Sequence, residues 1–165
     1  MTNKKTISRR TLVAAALGLG LAPAFAQGKG SPAGSHSIEV WKDPSCGCCK
    51  DWVRHLEDNG FKVKVNDVGN NAARARLGID RKYGSCHTAL VGGYAIEGHV
   101  PAQDIKRLLK DKPTAIGLAV PGMPVGSPGM DGPVYDNRKD PFDVLLLTQD
   151  GGSKVFQRYA GNTKA

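Results

Sequence analysis

The sequence predicts an α/β domain, and three patterns carry that expectation. Two stretches alternate apolar and polar residues, Ile38 to Lys42 and Phe61 to Val65, and between them Cys49, Trp52, Val53 and Leu56 recur at helical spacing. Gly92-Gly93 separates two short apolar runs, as the central residues of a hairpin turn do. A second helical pattern, with Ile105, Leu108 and Leu109 on one face, opens after Pro101.

In chain order, Asp43-Pro44-Ser45 makes a turn after the first strand, with Ser45 placed to cap the first helix. Asn59-Gly60 ends that helix. Strand, helix and strand form a βαβ unit, whose strands pair in parallel. Asn70 to Leu77 reads as a short Ala/Arg-rich helix, broken by Gly78 and by Tyr83-Gly84-Ser85. His87 to Val91 and Tyr94 to Ile96 make the antiparallel hairpin, and the helix after Pro101 ends near Lys112-Pro113. The order βαβ–α–ββ–α is the plan of a thioredoxin-like core. Pro113 to Pro141 is then a long loop rich in Gly, Pro and Met, and loops of that length within a domain are functional or disordered. Phe142 to Thr148 and Lys154 to Tyr159, joined at Asp150-Gly151-Gly152, add a C-terminal β-hairpin.

At 165 residues, 40% hydrophobic and 23% charged, the chain holds enough apolar material for one packed core, which excludes a wholly disordered polymer. No apolar run reaches the roughly 18–20 residues of a membrane span. Residues 1–26 read as an export signal: Lys4, Lys5, Arg9 and Arg10, then the apolar Leu12 to Leu21, then Ala24-Phe25-Ala26 for cleavage after Ala26. Ser8-Arg9-Arg10-Thr11-Leu12-Val13 resembles a twin-arginine signal. Cleavage removes four positive charges and so halves the net charge of +8. The remainder is spread along the chain, which points away from nucleic acid, whose binding needs clustered Lys and Arg. Residues 27–37 form a Gly/Ser/Pro-rich lead-in. Residues 38–160 are then a single domain, delivered to the periplasm.

All four cysteines lie beyond the signal. Cys46, Cys48 and Cys49 sit between the first strand and the first helix, where the helix N-terminus favours thiolates. Lys50 and Arg54 add positive charge there. Cys86 stands just before the strand His87 to Val91, in the segment that a thioredoxin-like core brings beside the helix start. Three chemistries compete for this cluster. Cys46 and Cys49 are spaced C-x-x-C for disulfide exchange, which an oxidising compartment favours. Zinc fits less well, because neighbouring Cys48 and Cys49 do not readily point at one ion, and iron–sulfur spacings are more open. A soft metal fits best, with Cu(I) first, since thiolates and thioethers select it and diverging neighbours suit thiolates that bridge several ions. Ag(I) shares that preference. A scaffold held by structural disulfides, with neither metal nor turnover, is a further reading.

Beyond Met1, the only methionines are Met123 and Met130, both in Pro-Gly-Met triplets of the long loop. A packing methionine more often lies on a periodic apolar face, so both are candidate thioether ligands or a lid. His87 and His99 are weaker candidates: strand alternation turns His87 away from Cys86, and His99 has either orientation open. His55 falls on the solvent side of its helix, and His36 in the lead-in. Trp41 and Trp52 are core residues flanking the cysteines.

Three segments together resemble the CopG family of exported copper- and silver-resistance proteins. They are Trp41-Lys42-Asp43-Pro44-Ser45-Cys46-Gly47-Cys48-Cys49, Gly84-Ser85-Cys86-His87-Thr88-Ala89, and Val120-Pro121-Gly122-Met123-Pro124-Val125-Gly126-Ser127-Pro128-Gly129-Met130. The resemblance runs from about Ser37 to Tyr159. It implies a thioredoxin-like fold and a copper site on the cysteines, for storage, for transfer to other periplasmic copper-handling proteins, or for cycling between Cu(I) and Cu(II). The expectation is a periplasmic copper-binding protein holding several Cu(I) ions on Cys46, Cys48, Cys49 and Cys86. A thiol–disulfide oxidoreductase using Cys46 and Cys49 is the alternative.

Overall fold

The computed structural model describes residues 36–162, so the export signal and most of the lead-in lie outside the described residues. The chain runs β1 (Ser37–Lys42), α1 (Gly47–Asp58), β2 (Lys62–Asn66), α2 (Asn71–Arg76), β3 (His87–Val91), β4 (Tyr94–Glu97), α3 (Ala102–Asp111), β5 (Gly117–Ala119), β6 (Phe142–Leu147) and β7 (Ser153–Tyr159). Single 3-10 turns stand at Arg81–Tyr83 and Pro133–Tyr135. This is a mixed α/β fold on one seven-stranded sheet of order β2-β1-β3-β4-β5-β6-β7.

The βαβ unit pairs in parallel, with Val40 opposite Val65. β3 runs antiparallel to β1, with Val40 opposite Ala89, and Gly92-Gly93 turns β3 into β4. The first strand is one residue longer than its pattern, taking in Ser37. The larger difference lies in the long loop, which contains β5. Its three residues pair parallel to β4 and antiparallel to β6, and so join the C-terminal hairpin to the sheet. Gly117 permits this, because a Cβ there would meet the carbonyl oxygen of Ala95 on β4.

Alternation along β1 buries Ile38 and Val40, and the helical stripe of α1 buries Trp52 and Leu56 against them. Ile105 and Leu108 of α3, Ala89 and Val91 of β3, and Leu118 of β5 complete this core. Each such large side chain contributes about 1.5–3 kcal/mol. Trp52 also satisfies its one polar atom, since Nε1 donates to the Val100 carbonyl at 2.9 Å. β7 is tied to α3: the Tyr159 hydroxyl donates to Asp104 Oδ2 at 2.6 Å, and Arg107 donates to the Phe156 carbonyl at 2.8 Å. Among the described residues, no helix is long and apolar enough to cross a membrane.

Candidate metal centre

The turn after β1 places the first cysteines. Asp43 Oδ1 accepts from the Ser45 amide at 2.8 Å and from its hydroxyl, and the Asp43 carbonyl accepts from the Cys46 amide at 3.2 Å. Ser45 therefore does not cap α1; the nearer carboxylate captures its side chain, and Cys46 takes the cap position without a side-chain hydrogen bond. Arg54 is likewise engaged, with its guanidinium 3.2 Å from Asp51.

Cys46 and Cys49 form a disulfide, one helical turn apart with Cα atoms separated by 5.4 Å. Cys48 and Cys86 are free thiols. Cys48 Sγ lies 3.5 Å from Cys46 Sγ and 3.9 Å from Cys86 Sγ. The Cys49 sulfur also lies 3.6 Å from the Cys86 carbonyl. All four sulfurs fall within 4.8 Å of one another. Neighbouring Cys48 and Cys49 thus both turn into the cluster, because both lie on α1, where successive side chains diverge by only about 100°.

Cys86 is held by its neighbour Ser85, both of whose backbone polar groups are clamped. The Ser85 amide donates to Glu97 Oε1 at 2.7 Å, and its carbonyl accepts from Asn70 at 3.2 Å and from Arg74. Arg74 Nε donates to the same Glu97 oxygen at 2.8 Å, and the Thr88 hydroxyl donates to the other at 2.6 Å. Burial pushes the Glu97 carboxyl up, against the opposing pull of Thr88, Ser85 and Arg74. This clamp was not foreseen; the signal for it is an acid at the end of the apolar run Tyr94-Ala95-Ile96-Glu97.

Both histidines of the weaker set reach Cys86. His99 Nδ1 lies 2.8 Å from the Pro128 carbonyl and must donate to it, so Nε2 carries the lone pair and faces Cys86 Sγ at 3.1 Å. His87 Nδ1 lies 3.3 Å from the same sulfur. Alternation fails as a guide here because Cys86 precedes β3 and lies in irregular backbone. The His87 ring packs 4.1 Å from Trp52 and 4.8 Å from His99, centroid to centroid. Burial lowers the proton affinity of both imidazoles, of His87 most, with His99 beside it adding to the effect. Burial, and then the nearby Cys48, pushes the Cys86 thiol up to about 12.

The long loop closes over one side of the cluster. Gly122 is stapled to the segment before Cys86: its amide donates to the Gly84 carbonyl at 3.1 Å and its carbonyl accepts from the Ser85 hydroxyl at 2.5 Å. Gly129 packs on the first turns of α1, where a Cβ would come within 2.6 Å of the Cys48 carbonyl oxygen. Met123 and Met130 are each the next residue along. Met123 is half exposed, and Met130 Sδ accepts from the Tyr135 hydroxyl at 3.4 Å. His55 is not on a solvent face: its Nε2 accepts from the Ala102 amide at 3.1 Å and caps α3. The His36 ring lies tilted beside Phe61, 6.3 Å from centroid to centroid. Trp52 is fully buried, whereas Trp41 is half-buried under the Arg76 guanidinium.

Comparison with other proteins bears on this geometry. A family described as "Protein of unknown function, DUF411" matches residues 83–130, the stretch from the Cys86 clamp through Met130. No curated protein matches the chain. Two solved structures do, described as "Copper resistance protein copG- Form 1" and "Form 2". Both are 46% identical to this chain. The first covers 78% of this chain and 100% of its own at a TM-score of 0.71. The second covers 76% and 99% at 0.70. Identity of that order, over more than three quarters of this chain and nearly the whole of each neighbour, makes the chain a member of the CopG family.

Proposed function

We propose that this protein binds Cu(I) as a polynuclear thiolate cluster on Cys46, Cys48, Cys49 and Cys86, in the service of copper tolerance outside the cytoplasm. The observation that carries the reading is the convergence of four sulfurs within 4.8 Å, three from one helix start and one from a segment 37 to 40 residues away. Four thiolates are soft donors, and the family's solved members are copper resistance proteins. The residues fit the ion. Cys48 and Cys86 are free, and opening the Cys46–Cys49 disulfide with a dithiol reductant supplies the other two thiols. Met123 and Met130 serve as thioether donors or as a lid, each carried by a loop residue that touches the cluster's frame. The basic, apolar N-terminal stretch with its Ala24-Phe25-Ala26 site supports export to the periplasm. Ag(I) is a chemically equivalent cargo, and cycling between Cu(I) and Cu(II) is a further activity open to the site.

A second reading, thiol–disulfide exchange, is favoured by one specific observation: Cys46 and Cys49 are already joined, with the Cys48 thiol 3.5 Å from Cys46. Anaerobic titration of the fully reduced chain with Cu(I), beside Cys86→Ser, separates the two. Tight binding of more than one Cu(I), reduced in the variant, supports the cluster. No tight Cu(I) binding by the reduced chain moves the assignment to disulfide exchange.

A further inference from the structure

We propose that Cys86, His87 and His99 form a second, nitrogen-rich metal site that takes one divalent first-row cation while the Cys46–Cys49 disulfide is closed. The inference rests on the reading of this cluster as a metal centre, but not on its preference for Cu(I).

The closed disulfide withdraws two sulfurs from any metal, because the thiolate and not the disulfide sulfur is the ligand. Two thiols remain, too few for a bridged cluster. The set Cys86, His87 and His99 needs neither lost sulfur, and its donor atoms lie within 4.8 Å of one another. Sulfur to nitrogen distances are 3.3 Å to His87 and 3.1 Å to His99. Bonds of about 2.3 Å to sulfur and 2.0–2.1 Å to nitrogen put these atoms about 3.5 Å apart around a tetrahedral ion. For these two sulfur–nitrogen contacts, shifts of a few tenths of an ångström suffice. Two thiolates on one such ion stand about 3.8 Å apart, and Cys48 Sγ is 3.9 Å from Cys86 Sγ, which offers it the fourth position.

The orientation of His99 is a second observation. Metal-binding histidines characteristically donate their other ring N–H to a carbonyl or carboxylate, which fixes the tautomer and aims the lone pair. His99 does this with Pro128. A third observation is His87 itself, a fully buried ring whose Nε2 has no hydrogen-bond partner. With its ring proton on Nε2, the His87 Nδ1 lone pair faces the position beside Cys86 Sγ that a cation would take. One thiolate with two imidazoles is a borderline donor set, suited to Zn(II), Co(II) or Cu(II), whereas four thiolates suit Cu(I). One disulfide therefore sets both the number and the softness of the available donors. Cys86 belongs to both sets, so the two loadings exclude each other at that sulfur.

Co(II) is the probe, since it leaves thiols unoxidised and shows a near-ultraviolet charge-transfer band when a thiolate binds it. The disulfide-closed chain is expected to take one Co(II) with that band. His99→Ala, His87→Ala and Cys86→Ser should each weaken binding by more than about 100-fold, because even outer-shell changes cost about 10–100-fold. Circular dichroism checks that each variant folds; if His87→Ala does not, because its ring packs on Trp52, then His99→Ala and Cys86→Ser decide. No Co(II) uptake by the closed chain overturns the proposal, as does uptake without the sulfur band or uptake undiminished in the folded variants. Cu(I) titration of the phosphine-reduced chain keeps the two readings apart. Cu(I) bound there with no Co(II) bound by the closed chain sinks this inference alone. The reverse pattern sinks the Cu(I) cluster and leaves this site standing.

Discussion

Arg74 Nε meets Glu97 Oε1 at 2.8 Å, and the same carboxylate oxygen accepts from the amide of Ser85. A buried ion pair thereby sets the residue from which Cys86 hangs. Glu97 is fully buried and Arg74 nearly so. Removing one partner of such a pair leaves an uncompensated charge, at a cost of about 3–5 kcal/mol. Arg74→Ala should lose stability of that order in urea denaturation. Glu97→Gln keeps one oxygen to accept from Ser85, but its NH2 cannot accept from Thr88 and the Arg74 charge is left unpaired, so it should lose stability of the same order. Near-native stability in either variant would show that the pair's charge is immaterial.

His55 makes α3 sensitive to acid. Its neutral Nε2 accepts the Ala102 amide, and burial lowers its proton affinity, against Asp131 and Asp58, which raise it, and with Lys106, which lowers it. A base depressed on folding adds stability above the unfolded pKa of about 6.5 and loses it as the pH falls through the folded value. His87 and His99 are depressed too and share the sign. A cap of this kind contributes about 1 kcal/mol, near 3 °C in Tm for a chain of this size. Between pH 7.5 and 5.5, His55→Gln should lose less Tm than the wild type. Parallel losses would remove His55 from the account.

Gly129 sits at φ +83° with its Cα facing the first turns of α1. An added Cβ would lie 2.6 Å from the Cys48 carbonyl oxygen and 2.7 Å from the Trp52 amide nitrogen. Both are backbone atoms, so the loop must move, and with it the Pro128 carbonyl that orients His99. Gly129→Ala should therefore lower Tm and weaken Co(II) binding by the closed chain. A variant with native Tm and native metal affinity would show that the loop's seat on α1 is not needed.

Metal binding at Cys86 must displace a proton, because burial holds that thiol up to about 12. The affinity of the reduced chain for Cu(I) should fall as pH falls, by up to about tenfold per unit for each proton displaced. Competition titrations at pH 8 and pH 6 measure the slope. A flat profile would exclude Cys86 as a ligand.

Much of this was legible in the sequence. Period-2 alternation in Ile38 to Lys42 and period-3.6 spacing from Cys49 to Leu56 reflect burial on one face, and burial is what the fold rewards. The approach of Cys86 to the other cysteines followed from element order alone. β5 escaped because Gly117-Leu118-Ala119 is too short for a period and is a strand only through pairing with β4 and β6. His87 was misjudged because alternation says nothing about a neighbour outside the strand. The Arg74–Glu97 clamp is a contact between α2 and β4, and no local pattern encodes it.

β5 and β6 are neighbours in the sheet, with Ala119 opposite Leu145, so the Gly/Pro/Met excursion leaves and re-enters at adjacent positions. Its ends stay together whatever lies between them. Doubling the length of a flexible loop with fixed ends adds only about 0.6 kcal/mol of closure entropy. Insertions and deletions in this excursion are therefore tolerable to the rest of the sheet, provided that the anchors at Gly122, Pro128 and Gly129 survive. Side chains carried there can be added, dropped or exchanged without unpairing the sheet, so the loop is the part of the chain whose chemistry can change while the cysteines keep their places.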